Sequence, residues 1–93
     1  MSILHELLGN VLAAIEPRNE RSRAWLDRIT LRCHEISKAE LDPVALRASV
    51  QAMRFDFASF VMIQGHDPKQ KELYGQVYHL LEQMTASTEL ARH

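Results

Sequence analysis

Residues 42–65, DPVALRASVQAMRFDFASFVMIQG, form the stretch whose reading decides the fold. The Asp42 carboxylate can accept hydrogen bonds from the first free N–H groups of a helix. Pro43 follows at the first helical position, where its missing N–H costs nothing. Leu41 and Leu46 flank the cap at the spacing of a hydrophobic staple. Gly65 supplies a stop that needs positive φ. A single long helix over about 43–64 is therefore expected.

Successive residues turn by about 100°, which places Leu46, Val50, Met53, Phe57, Phe60 and Val61 on one face. That is a core stripe. Val44, Phe55 and Met62, with Ala48 and Ala58 close by, fall on the opposite face. Ala52 and Ile63 lie on one flank between them, and Arg47, Gln51 and Arg54 form a polar ridge on the other. A helix apolar on two sides asks for two sets of neighbours. Either helix 1 of the same chain lies across the second face, or a second copy does, since large exposed apolar patches mark interfaces. Val44, Phe55 and Met62 are the candidate self-association residues.

The other helices follow from the same periodicity. Residues 2–16, with Ser2 as a cap, carry Ile3, Leu4, Leu7, Leu8, Val11, Leu12 and Ile15 over about half the circumference. His5, Glu6, Gly9 and Ala13 take the other side. Pro17-Arg18-Asn19 makes a turn. A second helix over about 19–39 has Leu26, Ile29, Cys33 and Ile36 as its core stripe, Ser22 at one end and Trp25 at the edge. Its Arg23, Asp27, His34 and Lys38 mix charges as a solvated face does. The run His66-Asp67-Pro68 repeats the Asp-Pro start signal, with Gln70 at the capping-box position. The fourth helix, 68–85, points Leu73, Val77, Leu80 and Met84 inward, widened by Tyr74, Tyr78 and Leu81. Glu72, Gln76, His79 and Gln83 form its wet side, with Gly75 off the core stripe. The apolar pattern fades after Thr85, so 86–93 is expected to fray. No strand alternation or internal repeat is present. One all-α domain over 1–93 results. Its short loops favour an antiparallel four-helix bundle-like arrangement, packed as a homodimer.

Composition sets limits on function. The chain has 93 residues, 46% hydrophobic and 25% charged, which is the balance of a small folded domain. A net charge of −1 gives the whole chain no pull towards nucleic acid or anionic membrane. The apolar first helix lacks the Lys and Arg of an amphipathic membrane anchor or of a signal peptide's leading segment. No apolar run approaches a membrane span. The lone Cys33 cannot form an intramolecular disulfide, which suits a reducing compartment. A cytoplasmic protein with no membrane partner is expected.

Assembled chemistry is hard to find. Cys33 and His34 are sequence neighbours and diverge by about 100° on a helix, so they do not form a nucleophile–base pair. The five histidines His5, His34, His66, His79 and His93 stand on separate segments. A carboxylate di-metal bundle needs Glu-x-x-His on two helices, but Leu31 precedes His34 and Gln76 precedes His79 at that spacing. His79 and Glu82 are in the reverse order. No His-x-x-x-His or Cys-x-x-Cys occurs, and Gly9, Gly65 and Gly75 are too scattered for a phosphate loop. No metal or cofactor is expected, and the chain reads as no enzyme.

The most suggestive surface is the second helix's row Arg21, Trp25, Arg28 and Arg32, which Arg18 joins if that helix starts early. Arginines beside an indole grip acidic groups, and both residue types lead at protein-interface hot spots. The leading reading is a small helical interaction protein (an adaptor, chaperone, inhibitor or anti-activator) that uses this row to bind a protein partner. A nucleic-acid-binding regulator using the same row is the alternative, opposed by the net charge and the absence of a second basic helix. The bland alternative is a solvated helix face. A metal-dependent catalyst ranks third.

Overall fold

In a computed structural model, residues 3–38, 42–65 and 67–91 are described. They form four helices, α1 (Ile3–Ala14), α2 (Glu20–Lys38), α3 (Pro43–Gln64) and α4 (Lys71–Ala91), with no strand among the described residues. Helix α3 starts and stops as its sequence dictates. Asp42 is extended (φ −68°, ψ 164°), and its Oδ1 accepts the Ala45 N–H at 2.8 Å. At the far end Gly65 has φ +80° and ψ 179°, a conformation almost reserved for glycine, while its N–H reaches the Val61 carbonyl at 2.9 Å. The expected caps at Ser2 and the staple residue Leu41 lie outside the described residues.

The helices form a ring. α2 and α4 each pack closely against both α1 and α3, whereas α1 and α3 stand diagonally, with no close backbone approach between them among the described residues. Cross-contacts run in opposite order along each neighbouring pair. The Cys33 thiol meets the His5 carbonyl across α1 and α2, and Arg28 and Arg32 face Asp56 across α2 and α3. Phe57 and Phe60 face Tyr78 and Tyr74 across α3 and α4. Each neighbour is thus antiparallel to the next, as short connections require.

The core is where the periodicity placed it. Leu8, Leu12, Ile15, Leu26, Ile29, Cys33, Ile36, Val50, Met53, Phe57, Phe60, Tyr74, Val77, Leu80, Leu81 and Met84 are buried. At its centre the Phe57 ring is 5.6 Å from Phe60 and meets Tyr78 edge-on at 5.2 Å. Such edge-to-face pairs add about 0.5–1.5 kcal/mol beyond the area they bury.

Several boundaries and one face differ from the periodicity. Helix α1 ends at Ala14 rather than 16, and α4 begins at Lys71 rather than 68. The cause is shared. Gln70 does not close a capping box with the Asp67 backbone. Its side-chain oxygen accepts the Glu16 N–H at 2.7 Å, and its amide donates to the Glu16 carbonyl at 3.0 Å and to Asp67 Oδ2 at 2.9 Å. Asp67–Gln70 is consequently a turn closed by Gln70 N–H to the Asp67 carbonyl at 3.0 Å, with Pro68 inside it. Gln64 joins from α3. Its amide donates to the Glu16 carbonyl at 2.7 Å, and its oxygen accepts the Arg18 N–H at 3.0 Å. Arg18 Nη1 also donates to the Gln64 carbonyl at 3.1 Å, so Arg18 belongs to this knot and not to α2, which Asn19 caps.

Helix α4 runs on to Ala91 where fading periodicity suggested fraying. Ala86, Glu89, Leu90 and Ala91 are strong helix formers, so propensity continues the helix after its apolar stripe has ended. His5, assigned to the outer side of α1, is buried instead, while Leu7, assigned to the apolar half, is exposed. The ring offers α1 only two neighbours, and the seam between α1 and α2 falls over His5 rather than Leu7.

Truncating Gln64→Ala takes the acceptor from the part-buried Arg18 N–H and removes one of two donors to the Glu16 carbonyl. The unfolding free energy is expected to fall by about 2 kcal/mol, or roughly 10 °C in Tm. Gln76→Ala, on the exposed side of α4, should stay within ~0.5 kcal/mol of the parent in the same urea titration.

Candidate functional site

Two surfaces and the cleft lined by His5 and Cys33 stand out once the core is accounted for. On α2, Arg21 is exposed, Trp25 is half-buried against the core, and the Arg28 guanidinium lies 5.5 Å from the Trp25 ring centroid. This is cation–π geometry worth ~0.5–1 kcal/mol at an exposed site. Arg21, Trp25, Arg28 and Arg32 do share one face, but they are not equivalent. Arg28 Nε and Arg32 Nη2 approach Asp56 Oδ2 at 3.8 and 3.5 Å. Among the described residues Arg21 has no such anion.

Asp56 was not singled out by the sequence pattern, and it reorganises this surface. Its side chain is only 9% exposed, and Oδ2 accepts no hydrogen bond among the described residues. A carboxylate so placed is expensive unless cations face it, and both contacts are longer than a hydrogen bond. Arg28 and Arg32 are therefore the cations that compensate the burial of Asp56. The available signal was its solitude: it is the only acidic residue in the 22-residue helix α3. An antiparallel α2 brings the two arginines to its level.

The second surface is the outward side of α3. Val44, Phe55 and Met62 are 66, 72 and 84% exposed. None of the four described helices covers them, because α1 takes the diagonal position. Beside Phe55 the surface is polar, with Arg54 Nη2 3.8 Å from Glu82 Oε1.

The cleft runs between α1 and α2 over about 580 Å³ and is lined by His5, Glu6, Gly9, Asn10, Ala13, Thr30, Cys33 and His34. Burial pushes the Cys33 thiol above its ordinary value and holds the His5 imidazole below its own. A thiol kept neutral is a poor nucleophile. It also donates to the His5 carbonyl at 3.9 Å, and His34 is exposed on the next face of the helix. Among the described residues no three or more His, Cys, Asp or Glu side chains are grouped to hold a metal ion, and no helix is long and apolar enough to cross a membrane. His66 and His93 lie outside those residues. No protein-family model, curated protein or solved structure matches the chain.

Removing the two sides of the α2–α3 ion pair should have unequal effects. Arg28→Ala with Arg32→Ala leaves a buried carboxylate without compensating charge. A loss of about 1–3 kcal/mol is expected in chemical denaturation, below the usual range for a buried pair because Arg28 is 61% exposed. Asp56→Asn returns two partly exposed guanidinium groups to water and should cost less than ~1 kcal/mol.

A pH dependence follows from His5. Its folded pKa is below the unfolded value of 6.5, so the unfolded chain binds more protons as the pH falls past that value. This contribution to stability is complete above pH 6.5 and is lost as the pH drops through 6.5 towards the folded pKa. The urea midpoint should fall on acidification across that window, and less steeply in His5→Gln.

Proposed function

We propose that the protein is a non-enzymatic interaction module of the adaptor, chaperone, inhibitor or anti-activator kind. It binds a protein partner through α2 and associates with a second copy of itself through α3. The observation that carries this reading is the uncovered apolar row on the longest helix, Val44, Phe55 and Met62, in a small domain whose own helices are used up elsewhere. An arginine–tryptophan row on a neighbouring helix adds the residue types that dominate protein-interface hot spots.

Within that row the weight falls on Arg21 and Trp25. Arg28 supports Trp25 from the ring face while facing Asp56, and Arg32 faces Asp56 from one turn further on. A partner would supply a carboxylate near Arg21 and an apolar contact for the indole. The same ion pair weakens the nucleic-acid alternative, because a carboxylate already faces two of the three arginines in the row.

Capture from native extract, followed by titration of the purified captured species, tests the α2 surface. Arg21→Glu with Trp25→Ala should weaken binding at least tenfold while the far-UV circular dichroism is unchanged. Captured material released by nuclease, or binding that survives the double substitution, would remove this reading. Salt-sensitive retention on heparin would favour the nucleic-acid alternative instead.

A further inference from the structure

The outward face of α3 carries more order than three exposed side chains. Val44, Ala48, Gln51, Phe55, Ala58 and Met62 follow one another at intervals of four, three, four, three and four residues. This is the alternation of a coiled-coil seam. All six are exposed or half-exposed, so the seam is open along the whole helix. The spacing is symmetrical about residue 53, and Ala48 and Ala58 are matched across it. Bulky residues occupy the two ends and the middle, and alanines occupy the two mirrored positions between.

The geometry points to a second copy of this chain as the occupant, with its α3 antiparallel to the first and a two-fold axis at the level of Met53. This deepens the self-association proposed above and rests on it. In that register Val44 lies opposite the partner's Met62, Ala48 opposite the partner's Ala58, and Gln51 opposite the partner's Phe55. Each layer then sets one residue of the seam against another at the same height, and the two alanine layers let the helices approach closely. An isologous contact demands such self-complementarity, which the matched alanines and the bulky residues at both ends allow. Opposed helix dipoles also favour the antiparallel arrangement.

The flanks and the area agree. A two-fold axis of this kind brings like edges together. One edge carries Ala45, Ala52 and Ser59, which are small and uncharged. The other carries Arg47 and Arg54, of which Arg54 is already 3.8 Å from Glu82, so that edge presents both signs rather than arginines alone. From their fractional exposure, Val44, Phe55 and Met62 leave on the order of 400 Å² uncovered, half of the ~800 Å² a stable pair takes from each partner. Ala48, Gln51, Ala58 and the flanks extend the contact along a helix about 33 Å long.

Sedimentation equilibrium combined with cysteine cross-linking tests the pairing. The wild-type mass should be twice 10.7 kDa across the micromolar range, and Phe55→Glu should halve it with helix content retained. Met62→Glu serves the same purpose should Phe55→Glu misfold. Oxidising a mixture of Ala48→Cys and Ala58→Cys proteins should yield the mixed disulfide dimer. Either variant alone should not link, because identical positions stand about 15 Å apart along the axis. Buried Cys33 is a silent thiol in both. A dimer that survives Phe55→Glu and Met62→Glu, links Ala48→Cys to itself, or gives no mixed disulfide overturns this register while self-association stands. A wild-type monomer overturns both, and leaves the α2 surface to its own test.

Discussion

Two buried glutamines set the geometry at one end of the bundle. Gln64 and Gln70 converge on Glu16 and Arg18, the residues that link α1 to α2, and between them satisfy both backbone groups of Glu16 and the N–H of Arg18. Backbone polar groups shut away from water must find partners, and a chain reversing over an apolar core has few to offer. Supplying them from α3 and from the turn before α4 ties two loops distant in sequence into one clasp. The Gln70 amide, with the Lys69 N–H, also holds the Asp67 carboxyl below its ordinary value. Helix ends, turn type and the position of Arg18 all follow from this clasp.

With that end tied, four antiparallel helices close a ring in which the diagonal backbones stay apart among the described residues. α3 is the longest helix and presents its aromatic stripe to α2 and α4, where Phe57 and Phe60 interlock with two tyrosines. Among the described residues the ring has no fifth element to lay over the opposite stripe. The apolar row on α3 is thus a consequence of helix number as much as of sequence, and it gives the small domain its most apolar open surface. Exposed apolar rows of this kind are characteristic of interfaces. The proposed homodimer would cover it.

The α2 surface shows how packing redistributes a linear motif. Four residues spaced along one helix face look alike in sequence. In the ring, the buried Asp56 faces two of them, the core takes half of Trp25, and Arg21 is left facing water. The inventory of charged side chains is unchanged, but their availability to a partner is not.

The sequence by itself determined the four helices, the inward stripe of each and both ends of α3, because these depend on local capping chemistry and on a period of 3.6 residues. It also marked Val44, Phe55 and Met62 as lying opposite the core stripe, which is a matter of angle alone. Only the tertiary structure decided that α1 stands diagonal to α3, that His5 is buried while Leu7 is not, and that the second Asp-Pro opens a turn rather than a helix. Asp42-Pro43 and Asp67-Pro68 are the same local signal. They diverge because Gln70 is drawn away by a chain segment 54 residues distant. Asp56 escaped notice for the same reason, since the cations that make its burial tolerable stand on another helix. Such groups become legible only when the fold supplies the other half of the interaction.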